Sequence, residues 1–130
     1  MNLGIILGRD GVATNMMIRR AENGLEDLGY TVLSLLHTEG GTARGTISVN
    51  ESVGAVVVFA ITIPDVGQSA LAGLHLLGTI RERGRLYVIG DGVNHFGKIA
   101  LEADARIGDT LFLTHTTEQA LEHLREHPLR

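Results

Sequence analysis

Short apolar runs recur along the chain near residues 2 to 7, 30 to 36, 55 to 61, 86 to 90 and 110 to 114, separated mostly by stretches of mixed polarity. Runs of this length without strict alternation predict parallel strands covered on both faces. Between the first two, Val12, Met16, Ala21, Leu25 and Leu28 approximate one side of a helix. Arg19, Arg20, Glu22, Glu26 and Asp27 lie mostly on its outside, and Gly29 is placed to end it. Leu71, Leu74, Leu77 and Ile80 predict a second helix from about Gln68 to Arg83, and Ile99 to Ile107 is amphipathic. Thr116 with Gln119 makes a capping box for a last helix ending near His127, before Pro128. Strands alternating with helices predict a three-layer α/β domain with a five-stranded parallel sheet, and 2-1-3-4-5 is the commonest way to wind five.

The most site-like stretch runs from Ala55 to Ile80. Pro64 and Gly67 stop the central strand, and Asp65 with Gln68 forms an N-capping pattern for the helix that follows. In open α/β sheets, ligands collect where such turns leave the carboxyl ends of strands, because free amides and the helix dipole face the crevice. If strands 1, 3 and 4 are neighbours, Gly8 to Asn15, Pro64 to Ser69 and Asp91 to Phe96 emerge at one edge. The candidate ligand contacts are then Gly8, Asp10, Asn15, Asp65, Gly67, Gln68 and Asn94, and the candidate acid and base groups are Asp65, Asp91 and His95. Each also has a plainer reading: Asp65 as a helix cap, Asp10 and Asp91 as turn residues before glycine. It is the convergence of three loops that argues for a site.

The segment PDVGQSALAG resembles the part of the nucleoside 2-deoxyribosyltransferase family in which an Asp-x-Gly turn leads into a helix carrying a nucleophilic Glu and then a Gly. Asp65, Gly67 and Gly73 match this pattern, but Leu71 stands at the Glu position, with no other carboxylate between Asp65 and Glu82. The resemblance implies a flavodoxin-like or deoxyribosyltransferase-like fold. It also implies a base site bordered by Gly8 to Met17 and a substrate contact at Asp65. The family's covalent sugar ester needs a carboxylate held against the anomeric carbon, and Leu71 supplies none. Two readings follow. One is non-covalent binding of a nucleoside, nucleotide or related ribosyl compound on an enzyme-like scaffold, a pseudoenzyme. The other is cleavage or transfer at an N-glycosidic bond with Asp65 or Asp91 activating water. Members of the family are usually homo-oligomers, and the mixture of Ala70, Ala72, Gly73, Leu76 and Gly78 on more than one side of the central helix implies a symmetric dimer or a multiple of it.

At 130 residues, 44% of them hydrophobic, the chain is expected to form one domain, 1–130, with a sizeable core. No apolar run is long enough for a membrane span and the start lacks a basic leader, so a cytoplasmic location and no membrane partner are expected. The net charge of −4 and the dispersed Lys and Arg argue against a nucleic acid polymer as partner. Cysteine is absent, which removes disulfides and thiolate chemistry. Gly8 and Gly11 make neither a Walker loop nor a dinucleotide fingerprint, so no cofactor is expected. His123 and His127 have the spacing of a zinc pair without a nearby third ligand, so no metal is expected and both read as solvated helix-end residues. His37 to Gly54, with glycines at 40, 41, 45 and 54, reads either as a functional loop or as an irregular excursion.

Overall fold

The computed structural model describes residues 2–9, 12–37, 54–61, 84–90 and 111–129. In chain order these form β1 (Leu3–Arg9), α1 (Val12–Asp27), β2 (Thr31–His37), β3 (Val56–Ile61), β4 (Gly84–Ile89), β5 (Leu111–Thr114) and α2 (Thr117–Glu126). Among the described residues, the strands make one sheet in the order β2-β1-β3-β4-β5, every neighbouring pair parallel. This is the expected three-layer α/β, flavodoxin-like winding. Residues 38 to 53 of the glycine-rich stretch, and the helices expected over Gln68 to Arg83 and Ile99 to Ile107, lie outside the described residues.

Two strands run further than their apolar runs. β1 continues through Gly8 and Arg9 because their backbones pair with Leu36 and His37, and β4 starts at Gly84 and Arg85 opposite Val56 and Val57. Ladder hydrogen bonds depend on the backbone, so a polar side chain at a strand end does not stop pairing. Every residue of β3 is buried. Val57, Phe59 and Ile61 join Ile6, Tyr87 and Ile89 in the core beneath α1 and α2. The alternate residues Ile5, Leu7, Val58, Leu86 and Val88 are buried too, so the three inner strands are covered on both faces and need no polar side, whereas β2 at the edge exposes Leu33 and Leu36.

Helix α1 shows its inner stripe at Thr14, Ile18, Ala21 and Leu25, not at Met16, which is 75% exposed. Met16 stands about 200° around the helix from Ile18, so the two cannot both face the sheet. The end of α1 is set by Gly29, at φ 93°. Its amide donates to the Glu26 carbonyl and the Tyr30 amide donates to the Leu25 carbonyl, each at 3.0 Å. These two bonds make a Schellman ending, which needs a left-handed residue that glycine adopts without strain. Tyr30 then packs beside Leu25 in the core.

Helix α2 begins as its sequence predicts. The Thr116 hydroxyl accepts from the Gln119 amide at 3.2 Å, and the Gln119 side chain accepts from the Thr116 amide at 3.2 Å. The helix crosses α1 at Gly24, where a Cβ would lie 2.4 Å from Leu121 Cδ1 and 3.1 Å from its Cγ. Gly24→Ala is therefore expected to destabilise by about 1 kcal/mol, the overpacking outweighing the helix-propensity gain of about 1 kcal/mol. In a Leu121→Ala background the same change should stabilise by about 1 kcal/mol, because the obstruction is gone. A denaturation double-mutant cycle reads this coupling, and additivity of the two changes would rule out the close approach.

Candidate functional site

The carboxyl ends of four strands lie side by side. Leu7 pairs with Ala60, Ile61 with Ile89, and Ile89 with Thr114, so β1, β3, β4 and β5 finish almost level. The chain reverses its winding between β1 and β3: β2 was added on one side of β1, and β3, β4 and β5 on the other. At such a switch point the loops leaving the two strands diverge and open a crevice. Neighbouring strands stand about 4.8 Å apart, so the segments following Arg9, Ile61 and Ile89 start within about 10 Å of one another.

Of the candidate site residues, Gly8 and Asn15 are described. Gly8 is buried in β1, and a Cβ there would make ordinary contacts of 3.5 Å with Ile18 and 3.7 Å with Leu36. It lacks a positive φ, so neither space nor backbone conformation demands glycine. Asn15 is exposed on α1, in the first turn after the β1 loop. Asp10, Asp65, Gly67, Gln68, Asp91, Asn94 and His95 lie outside the described residues, as does Leu71. Gly90 marks how the chain leaves β4: its φ is 135°, which side chains rarely permit, and its amide donates to the Thr114 carbonyl at 3.1 Å. The chain thus leaves β4 in a conformation that favours glycine at position 90.

Beside this edge, between α1 and the start of α2, is a shallow cleft of about 340 Å³ lined by Met16, Met17, Arg20, His115, Thr116 and Thr117, with Glu118. The Arg20 guanidinium donates to the Glu118 carboxylate across its mouth. Both side chains are more than half exposed, so this ion pair contributes little to stability. The Thr117 hydroxyl is buried without a hydrogen-bond partner, and it is closed off from water and hence from the cleft. These residues escaped the sequence reading because Met16 had been assigned to the core. The available signal was that His115 and Thr116 follow a strand's carboxyl end, as the other candidate loops do.

The histidines at the end of α2 correct one expectation. His123 is not a solvated helix-end residue: it is partly buried, with Nδ1 2.7 Å from the Tyr87 hydroxyl. Desolvation is the largest influence on both groups. It holds the His123 imidazole below its ordinary value, aided by His127 and Arg85, and raises Tyr87 above its own. Among the described residues, no group of three or more His, Cys, Asp or Glu side chains could hold a metal ion, and no helix is long and apolar enough to cross a membrane.

The fold defines a class: a flavodoxin-like parallel α/β sheet whose winding reverses between β1 and β3. Comparison of the chain with protein-family models, curated proteins and solved structures finds no match.

Proposed function

We propose that the protein binds a nucleoside, nucleotide or related ribosyl compound above the carboxyl ends of β1, β3 and β4, without forming a covalent sugar intermediate. The observation that carries this reading is the parallel order β2-β1-β3-β4-β5, because it makes neighbours of the three strands whose following segments hold the candidate polar residues. Asp10 follows β1, Asp65 and Gln68 follow β3, and Asp91, Asn94 and His95 follow β4. Carboxylates and amides suit the hydroxyls of a sugar and the edge of a base, being acceptors and mixed donors in one place. The resemblance of PDVGQSALAG to the deoxyribosyltransferase segment supports a ribosyl ligand, and Leu71 at the nucleophile's position argues for binding over double displacement. The same resemblance supports a homo-oligomer.

A thermal-shift screen of nucleosides and nucleotides against the full chain tests the proposal. A nucleoside or nucleotide that raises the midpoint in a concentration-dependent way is expected. Product analysis of each hit then separates binding from hydrolysis, the second reading, in which Asp65 or Asp91 activates water. A screen in which none of these compounds shifts the midpoint at millimolar concentration would rule the proposal out.

A further inference from the structure

At the opposite, amino-terminal edge of the sheet, β4 and the end of α2 share a cluster that the ligand proposal does not use. Arg85 and Tyr87 stand on one side of β4, two residues apart. One guanidinium nitrogen of Arg85 donates to the Tyr87 hydroxyl oxygen at 3.2 Å and also to the His127 carbonyl at the end of α2. The guanidinium carbon lies 5.2 Å from the centre of the Phe112 ring. Phe112 of β5 and His123 of α2 are 4.3 Å apart between ring centres, and His123 and His127 are 4.7 Å apart. The last turn of α2 is therefore held to the sheet by one guanidinium, one phenol and one imidazole in series.

The direction of the protons in this series follows from the donor inventory. A guanidinium only donates, so the phenol oxygen accepts from Arg85 and its own proton is free for Nδ1 of His123. That arrangement requires a neutral imidazole with an unprotonated Nδ1. Protonation puts hydrogen on both ring nitrogens, and the phenol of Tyr87, which is fully buried, loses the acceptor for its proton. The charges around the ring act in the same sense. From β4 it faces the Arg85 cation and Tyr87, from its own helix His127 and Glu126, and from β5 the uncharged Phe112. Tyr30, after α1, is coupled to Arg85 and Tyr87. Of these, Glu126 alone favours the imidazolium.

We propose that this cluster is a pH-operated latch, in which a neutral His123 locks the last turn of α2 onto β4 and β5 and a proton on His123 releases it. The folded His123 binds a proton more weakly than an unfolded chain does, for the desolvation already described. The latch is therefore complete above the ordinary imidazole value of 6.5 and is lost as pH falls through the lower folded value. Leu124 is the one core side chain of this turn, and Arg125, Glu126 and His127 are already exposed, so the loss is local and the centre of the sheet stays closed.

Histidine NMR titration and amide hydrogen exchange on the full chain, between about pH 7.5 and about pH 5, test the latch. His123 should titrate below the ordinary imidazole value. The amides of Leu124 to His127 should lose protection several-fold at the acid end, after correction for intrinsic exchange, while those of β1 and β3 keep theirs. His123→Phe, which keeps a ring and removes the proton site, should leave the last turn equally protected at both ends of the range. Tyr87→Phe should weaken last-turn protection near neutral pH and shrink its further loss on acidification. The latch is overturned if His123 titrates at or above its ordinary value, or if β1 and β3 lose protection together with the last turn. It is also overturned if the acid response survives in His123→Phe while vanishing in His127→Asn, which would place the switch on the other ring.

Discussion

Phe59→Ala is expected to cost about 3–5 kcal/mol, a large part of the roughly 5–15 kcal/mol that holds a domain of this kind together. Phe59 is fully buried in β3, the central strand, and its ring meets Tyr87 of β4 edge to face at 5.3 Å and 75°. Truncation removes the transfer free energy of the ring and leaves a cavity between two paired strands. Those strands cannot close inward to fill it, because β3 is held by ladders on both sides. Tyr87 also loses one of the three rings packed on its own, Phe112 and His123 remaining, so Phe59→Ala should loosen the hydroxyl's contact with His123. Urea denaturation should show the lower midpoint with an unchanged slope, and Phe59→Leu should lose well under half as much. A cost below about 1 kcal/mol would mean that β3 is not the centre of the core.

Asp65→Asn should weaken ribosyl-ligand binding by about 1.5–3 kcal/mol, or roughly ten- to 150-fold in Kd, if the carboxylate accepts hydrogen bonds from sugar hydroxyls. The substitution keeps size and shape and removes the charge. Asn caps a helix about as well as Asp, so stability should barely move. Unchanged affinity together with an unchanged melting temperature would assign Asp65 to the helix cap alone. Leu71→Glu is the complementary change: it places a carboxylate where the deoxyribosyltransferases that PDVGQSALAG resembles carry their nucleophile, and on the proposed reading gain of glycosidase or transferase activity is the expected direction. A covalent sugar adduct on the unaltered protein would overturn the non-covalent reading.

Every run expected is a strand in the sheet; β1, β3 and β4 were legible because strands buried on both faces leave a continuous apolar signature, and the edge strands β2 and β5 keep an apolar run although they are only partly buried. Helix ends were legible where the chemistry is local. Gly29 closes α1, and Thr116 with Gln119 opens α2, through bonds between residues a few positions apart. The inner face of α1 was misread at Met16, since five apolar residues spread over sixteen positions admit more than one stripe and the sheet beneath selects among them. Arg85 stands outside the apolar run near 86 to 90, yet it pairs opposite Val57 and so carries its guanidinium to Tyr87 and the end of α2. Of the candidate site, the structure places Gly8 and Asn15 and makes neighbours of β1, β3 and β4.

The sequence by itself determined the class of fold, the strand and cap positions and the absence of thiol chemistry, because each depends on residue type or on neighbours within a few positions of the chain. Only the tertiary structure decided which side of α1 is buried, where Gly24 meets Leu121, and that Arg85, Tyr87 and His123 form one hydrogen-bonded series. Those contacts join residues up to about a hundred positions apart. Their existence depends on strand order and helix crossing, and no local periodicity encodes either.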